Sequence, residues 1–395
     1  MSPEADMQLI RLMVSLALLL TVLSACTQPT VPPTPTSPSS PTPTAATATP
    51  PVPPDPPPPT VSPSDTPGPT PSPYPLDWPE SAPEDQGMDS TLLKSMGASV
   101  PQQYPHIRSL LVVRHDTIVY ERYYKGLTAD SLHEVASITK SITSALIGIA
   151  LNRGDLQSLD QPIAPFFPEE AAAAADPRFQ RITLRHLLEL TAGFEWEDTR
   201  LWMWGNAPDP TRYTLQLPIV AEPGEKFNYN TPAVHLLSAI LTRATGLTEQ
   251  QYADQHLFGP LGITQYQWPK DPQGYSFGGN SLSLRTRDLA RFGSLYLHEG
   301  SWHGQQLVPA DWVNLSTQVH TPGGYPENLP YGYLWWVEPD AVPPAYFAAG
   351  FGGQFIYILP SLDLLVVITS NTDSPHMENR QLIPDYVLPA VLPAP

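Results

Sequence analysis

Between Thr27 and Tyr74 the chain is built from runs such as TVPPTPTSPSSPTPT and PPVPPDPPPPT, and 22 of its 51 prolines lie before Pro79. Proline has a fixed φ and no backbone N–H, so such a stretch supports neither a helix interior nor a central strand. It also has almost no aromatic or branched apolar side chains, so nothing it buries offsets the entropy of ordering it. Residues 26–75 therefore read as a tether leaning towards polyproline II, with a reach on the order of 100–150 Å at ~3 Å per residue. What remains of the 395 residues is a folded part, 76–395, long enough for one large domain or two closely joined ones.

Upstream of the tether, LIRLMVSLALLLTVLSA carries Arg11 and an apolar run from Leu12. The run is shorter than the roughly 18–20 residues a membrane span needs, and residues 1–25 read as a secretory leader. It ends in Leu23-Ser24-Ala25-Cys26, which resembles the lipobox of bacterial lipoproteins. The resemblance implies cleavage before Cys26, acylation of its sulfur and an extracytoplasmic, lipid-anchored place on the bacterial cell envelope. Glu4 and Asp6 are foreign to a positive leader, which makes Met7 an alternative start. An uncleaved anchor and an ordinary secreted protein are the competing readings. Cys26 is the single cysteine, so intrachain disulfides and a cysteine metal site are excluded. The net charge is −18 without a basic cluster, which argues against nucleic acid and anionic lipid headgroups as partners. The acidity itself reads as solubility.

In the folded part, SLLVVRHDTIVYERYY places two β-rich runs around His115-Asp116, a hairpin signal. Helices are expected from about Ser137 to Arg153 with a stop at Gly154, over ITLRHLLELTAG to Gly193, over PAVHLLSAILTRA to Gly246, and over TRDLARFGSLYL. Thr248 and Gln251 have the spacing of a capping box. YGYLWWVE, AAGFGGQFIYILP and LDLLVVITSN read as strands, and Asn379 to Leu392 as a closing helix. Strands at both ends and helices between them predict an α+β fold. An antiparallel sheet is formed by N- and C-terminal strands and flanked by helices, with an inserted, mainly helical subdomain.

The helix beginning at ASITKSITSAL holds three serines, two threonines and a lysine in its first turns. Hydroxyls compete for backbone hydrogen bonds in a helix interior, so their density asks for a reason. Ser137 and Lys140 are three residues apart and share a face. A serine hydroxyl is a weak nucleophile until a base takes its proton, and a lysine is such a base only when burial lowers its pKa. First-turn N–H groups at Ser137 lack helical partners and suit an oxyanion. The competing role for Ser137 is a helix N-cap. In PGEKFNYNTPAVHLLSAI, Tyr229 precedes a helix expected to be capped by Thr231 and to start at Pro232, where the positive helix end favours tyrosinate. Gly350, Gly352 and Gly353 let a ligand approach a strand backbone.

The order SITK, then FNYN, then a glycine-rich strand near the C-terminus resembles the serine β-lactamase and penicillin-binding-protein superfamily. The closer likeness is to its class C branch and the β-lactamase-related serine hydrolases, and ITLRHLLELTAGFEW, PLGI, SLRTRDLARFGSLYL and YGYLWWV look like that branch's segments. The resemblance implies that Ser137 is acylated, that Lys140 is or shares the general base, and that Tyr229 is the acid/base partner. It implies an oxyanion hole from the backbone N–H of Ser137 and of Phe351, with Gly350, Gly353 and Thr231 at the substrate; whether Lys140 or Tyr229 takes the serine proton is left open. Two departures stand out. Thr231 fills the third place of a motif that usually reads Tyr-x-Asn. Ala348-Ala349-Gly350 stands where a cation and a hydroxyl usually grip a substrate carboxylate. The second departure turns the expectation from β-lactams and D-alanyl peptides towards a small ester or amide, as in the superfamily's esterases and in the aminohexanoate-dimer hydrolases, the latter being the group that PAVHLLSAI and GFGGQFIY resemble. β-Lactamase or D-alanyl peptidase activity, or a non-catalytic ligand-binding module, are the alternatives. Trp202 and Trp204 are either packing residues or contacts to an apolar substrate group. The histidines show no ligand spacing, so neither a catalytic metal nor a cofactor is expected.

Overall fold

The computed structural model describes residues 78–393. The leader, the tether and Cys26 lie outside the described residues. In chain order the strands are β1 (Ile107–Arg114), β2 (Thr117–Tyr123), the short pair β3 (Leu132–Glu134) and β4 (Ser283–Arg285), and the short pair β5 (Ser301–Trp302) and β6 (Gln305–Gln306). There follow β7 (Thr321–Gly324), β8 (Leu329–Tyr331), β9 (Trp336–Glu338), β10 (Ala345–Gly350), β11 (Gln354–Leu359) and β12 (Leu364–Ser370). Eight of them form one sheet in the order β2-β1-β12-β11-β10-β9-β8-β7. N- and C-terminal segments thus meet one strand in from the β2 edge, where β1 runs antiparallel to β12 from Ile107 opposite Ser370 to Arg114 opposite Leu364.

Local chemistry explains the edges and the core. His115 and Asp116 both take positive φ (49° and 55°), the backbone a two-residue hairpin turn needs between right-twisted strands. LLVVITS in β12 and QFIYIL in β11 are buried at every residue, as continuous apolar strands are when helices cover both faces. The four longest helices among the described residues are α1 (Ser90–Gln103), α2 (Ile138–Arg153), α3 (Thr231–Thr245) and α4 (Thr286–Leu297). Helix α2 is buried without a break from Ile138 to Ala150, so none of its faces meets water. Thr248 and Gln251 form the expected capping box. No helix among the described residues is long and apolar enough to cross a membrane.

Four local expectations are corrected. ITLRHLLELTAG is helical only over Leu184–Leu188. Leu190 turns left-handed (φ 57°) and the Thr191 N–H closes onto the His186 carbonyl. YGYLWWVE is not one strand, because Leu334 also has positive φ. The bend lets Trp335 pack on Tyr296, ring centres 4.4 Å apart, while the Leu334 carbonyl accepts from Ser141 Oγ. AAGFGGQFIYILP is a hairpin, β10 and β11, around Phe351–Gly353. The closing segment is a 3-10 turn, Met377–Gln381, and a π turn, Ile383–Val387, since Pro384 and Pro389 each remove a donor from a longer helix.

Candidate active site

Ser137 sits one residue before α2, and its side chain makes no capping hydrogen bond, so the simple cap role fails. Lys140 Nζ lies 2.8 Å from Ser137 Oγ, 2.9 Å from Thr231 Oγ1 and 2.7 Å from the Gly279 carbonyl. Lys140 is 1% exposed. Burial lowers its pKa from the usual lysine value to about 7, with the Asp198 carboxylate working the other way. A large fraction is then neutral near pH 7, with a lone pair able to take the Ser137 proton. Three other hydroxyls of the segment answer to structure. Thr139 Oγ1 donates to the Ala136 carbonyl (2.6 Å), Ser141 to that of Leu334 (2.7 Å) and Thr143 to that of Gly278 (2.7 Å). In a helix with no solvent face these donors supply the partners that neighbouring turns need. Ala136 has φ 46°, a conformation that costs about 1–3 kcal/mol in a non-glycine residue and tends to accompany function.

Tyr229 stands over this pair. Lys140 Nζ is 4.8 Å from the centre of its ring, and the ring stacks on Trp336 with centres 5.9 Å apart. Burial pushes the phenol well above its ordinary range, the nearby Ser137 hydroxyl lowers it, and the negative charge of Asp198 raises it further. The expected tyrosinate is therefore corrected: desolvation outweighs the helix end, and the phenol keeps its proton. The cap is corrected as well. Asn230 Oδ1 accepts from the Ala233 N–H (2.9 Å) and α3 starts at Thr231. That frees the Thr231 hydroxyl to meet Lys140.

Gly350 ends β10 against the backbone just ahead of Ser137: a β-carbon at this position would lie 2.2 Å from the Val135 carbonyl oxygen. Only a residue without one lets the strand end come so close. Phe351 follows with an exposed side chain, and neither its N–H nor that of Ser137 has a hydrogen-bond partner among the described residues. Gly353 has φ 76°, and its β-carbon would lie 2.2 Å from the His376 carbonyl oxygen. Ala348 and Ala349 are buried in β10 and offer neither charge nor hydroxyl.

Beside Tyr229 opens a cavity of about 410 Å³, bordered by Trp196, Glu197, Asp198, Phe227 and Tyr325 among others. Two carboxylates and no lysine or arginine line it. Trp204 packs in the subdomain, its Nε1 donating to the Pro210 carbonyl (3.0 Å), whereas Trp202 is 77% exposed. Sequence reasoning missed Gly279, the third partner of Lys140, and the acidic wall. The paired glycines 278–279 were the available signal: a β-carbon on Gly279 would lie 2.8 Å from Thr231 Cγ2.

The Beta-lactamase family model matches residues 102–388, well over half of the chain. The chain is 23% identical over 292 residues to 6-aminohexanoate-dimer hydrolase of Paenarthrobacter ureafaciens, covering 68% of this chain and 73% of that protein. Among solved structures, the octameric penicillin-binding protein homologue from Pyrococcus abyssi superposes with a TM-score of 0.63 at 20% identity, covering 77% of this chain and 78% of that one. EstCE1, a hydrolase with promiscuous acyltransferase activity, gives 0.64 at 18% identity over 75% and 98%. At these identities the two structures speak for the fold alone.

Proposed function

The chain belongs to the β-lactamase family, and we propose that it is a serine hydrolase cleaving a small ester or amide through an acyl-enzyme on Ser137. The observation that carries this reading is Lys140 Nζ, buried and 2.8 Å from Ser137 Oγ. Neutral Lys140 takes the Oγ proton as Oγ bonds to the substrate carbonyl carbon, and the π pair moves to the carbonyl oxygen. The N–H groups of Ser137 and Phe351 receive that oxyanion. Collapse breaks the bond to the alcohol or amine, which leaves with a proton from Tyr229, recharged by Lys140. Water then repeats the sequence on the acyl-serine. Lys140 is the better first base because the Tyr229 phenol is held protonated.

The substrate side follows from charge. A carboxylate would meet Ala348 and Ala349 instead of a cation and would face Glu197 and Asp198, so desolvating it goes uncompensated. A neutral acyl group fits better, and the aminohexanoate-dimer hydrolase and esterase likenesses support an ester or a linear amide. The test is a parallel assay of short-chain p-nitrophenyl esters, linear amide oligomers and nitrocefin. Esters or amides are expected to exceed nitrocefin in kcat/KM by at least tenfold; the reverse order returns the β-lactamase reading, and no turnover with intact binding returns the ligand-binding module. From the Leu23–Cys26 motif we also propose a lipid anchor, so Cys26→Ser is expected to move the protein from the membrane to the soluble fraction of producing cells. An unchanged distribution overturns it.

A further inference from the structure

We propose that His106, Asp373 and His376 form a binding site for a divalent transition-metal ion of the Zn²⁺ type, separate from the serine. Their ligand atoms all lie within 4.8 Å of one another. His376 Nε2 is 2.8 Å and His106 Nδ1 3.7 Å from Asp373 Oδ1. Zinc bonds of about 2.0–2.2 Å put tetrahedral ligand atoms about 3.3–3.5 Å apart, so closing this set on an ion draws its most distant atoms together by up to about 1.5 Å and turns the two imidazole edges towards it.

The surroundings of His376 argue for a cation there. Its Nδ1 faces Glu378 Oε1 at 3.3 Å, while its Nε2 faces Asp373. A neutral imidazole donates through one nitrogen only, so the other presents a lone pair to a carboxylate unless a proton or a metal ion lies between. His106 stacks on His376, ring centres 3.6 Å apart and planes 20° apart, and turns its own nitrogen to the same oxygen. One dication held by two neutral imidazoles and a carboxylate satisfies all three groups. The remaining features suit a metal centre. The other oxygen of Asp373 accepts from Asn371 Nδ2 (2.6 Å), and Glu378 is a carboxylate partner for a ligating histidine. Mixed nitrogen and oxygen donors select against Ca²⁺ and Mg²⁺, which take oxygen ligands. The site opens to solvent, leaving room for water as a fourth ligand. Arg108 and Lys125 border the same opening and hold the affinity down.

The site is tied to the turn after β10. The His376 carbonyl packs on Gly353, and Asn379 Nδ2 donates to the Gly353 carbonyl at 3.3 Å. An ion there stiffens the backing of the Phe351 turn. Sequence spacing hides the set, because His106 and His376 lie at opposite ends of the folded chain and only the β1–β12 pairing brings them together.

Untagged full chain, stripped with chelator and dialysed against ZnCl2, is expected to retain about one Zn²⁺ per molecule and to gain thermal stability. His106→Ala and Asp373→Asn are each expected to weaken retention at least tenfold, and Glu378→Gln by about 10-fold, as for an outer partner of a ligand. Asp373→Asn keeps the side-chain size, so it carries the test if His106→Ala folds poorly. Absence of saturable uptake, equal uptake by the His106 and Asp373 variants, or equal affinity for Mg²⁺ overturns the proposal.

Discussion

Ser137→Ala is expected to abolish turnover of p-nitrophenyl acetate and labelling by a serine-directed phosphonate, with the fold intact. Removing the nucleophile of an acyl-enzyme pathway costs on the order of 10⁴–10⁶ in kcat. The fold has little reason to respond. Ser137 makes no capping hydrogen bond, and Lys140 keeps Thr231 Oγ1 and the Gly279 carbonyl as partners. Thermal unfolding should therefore shift little while labelling disappears, and intact-mass analysis reads the second outcome directly. A phosphonate adduct that persists on another residue sinks the assignment of Ser137.

Lys140→Met is expected to lower kcat/KM by about 10²–10⁴-fold, the usual contribution of a positioned general base. For the wild type, kcat/KM should rise with pH through about 7 as Lys140 loses its proton. The same lysine sets a stability signature. Its pKa in the folded protein lies below its value in the unfolded chain, near 10.5. Between these values the unfolded chain binds more protons, so stability rises with pH across that window; below about 7 the cost of the buried charge is fully present. The expected gain is on the order of 2 kcal/mol between pH 7 and pH 9. Urea unfolding at both pH values should show this gain in the wild type and a correspondingly smaller one in Lys140→Met. Equal pH slopes in the two proteins overturn a depressed lysine pKa.

Much of the fold was legible because its signals are local. His115-Asp116 marks a turn whatever lies around it, and Gly154 and Gly246 end their helices by taking positive φ. Helix α2 could be read from its stop and its pattern, and Ser137 and Lys140 from a spacing that puts them on one face. The errors have a common cause in packing. The strand read in YGYLWWVE breaks because Trp335 has a place on Tyr296. The expected helix end at Gly193 gives way to a left-handed Leu190. The cap passes from Thr231 to Asn230 because Lys140 claims the threonine hydroxyl.

By itself, then, the sequence determined the order of the elements from β1 onward and the spacing that brings a serine and a lysine to one helix face, with a tyrosine ahead of the next. These follow from backbone chemistry and from separations of a few residues, which act within one turn or one strand. The tertiary structure alone decided the burial that lowers the pKa of Lys140, the Gly279 carbonyl that completes its shell, the acidic wall at Glu197 and Asp198, and the meeting of His106 with His376. Each depends on how deeply a group is buried and on what stands opposite it across a long stretch of chain. Desolvation and charge act through space, and a spacing along the sequence does not record them.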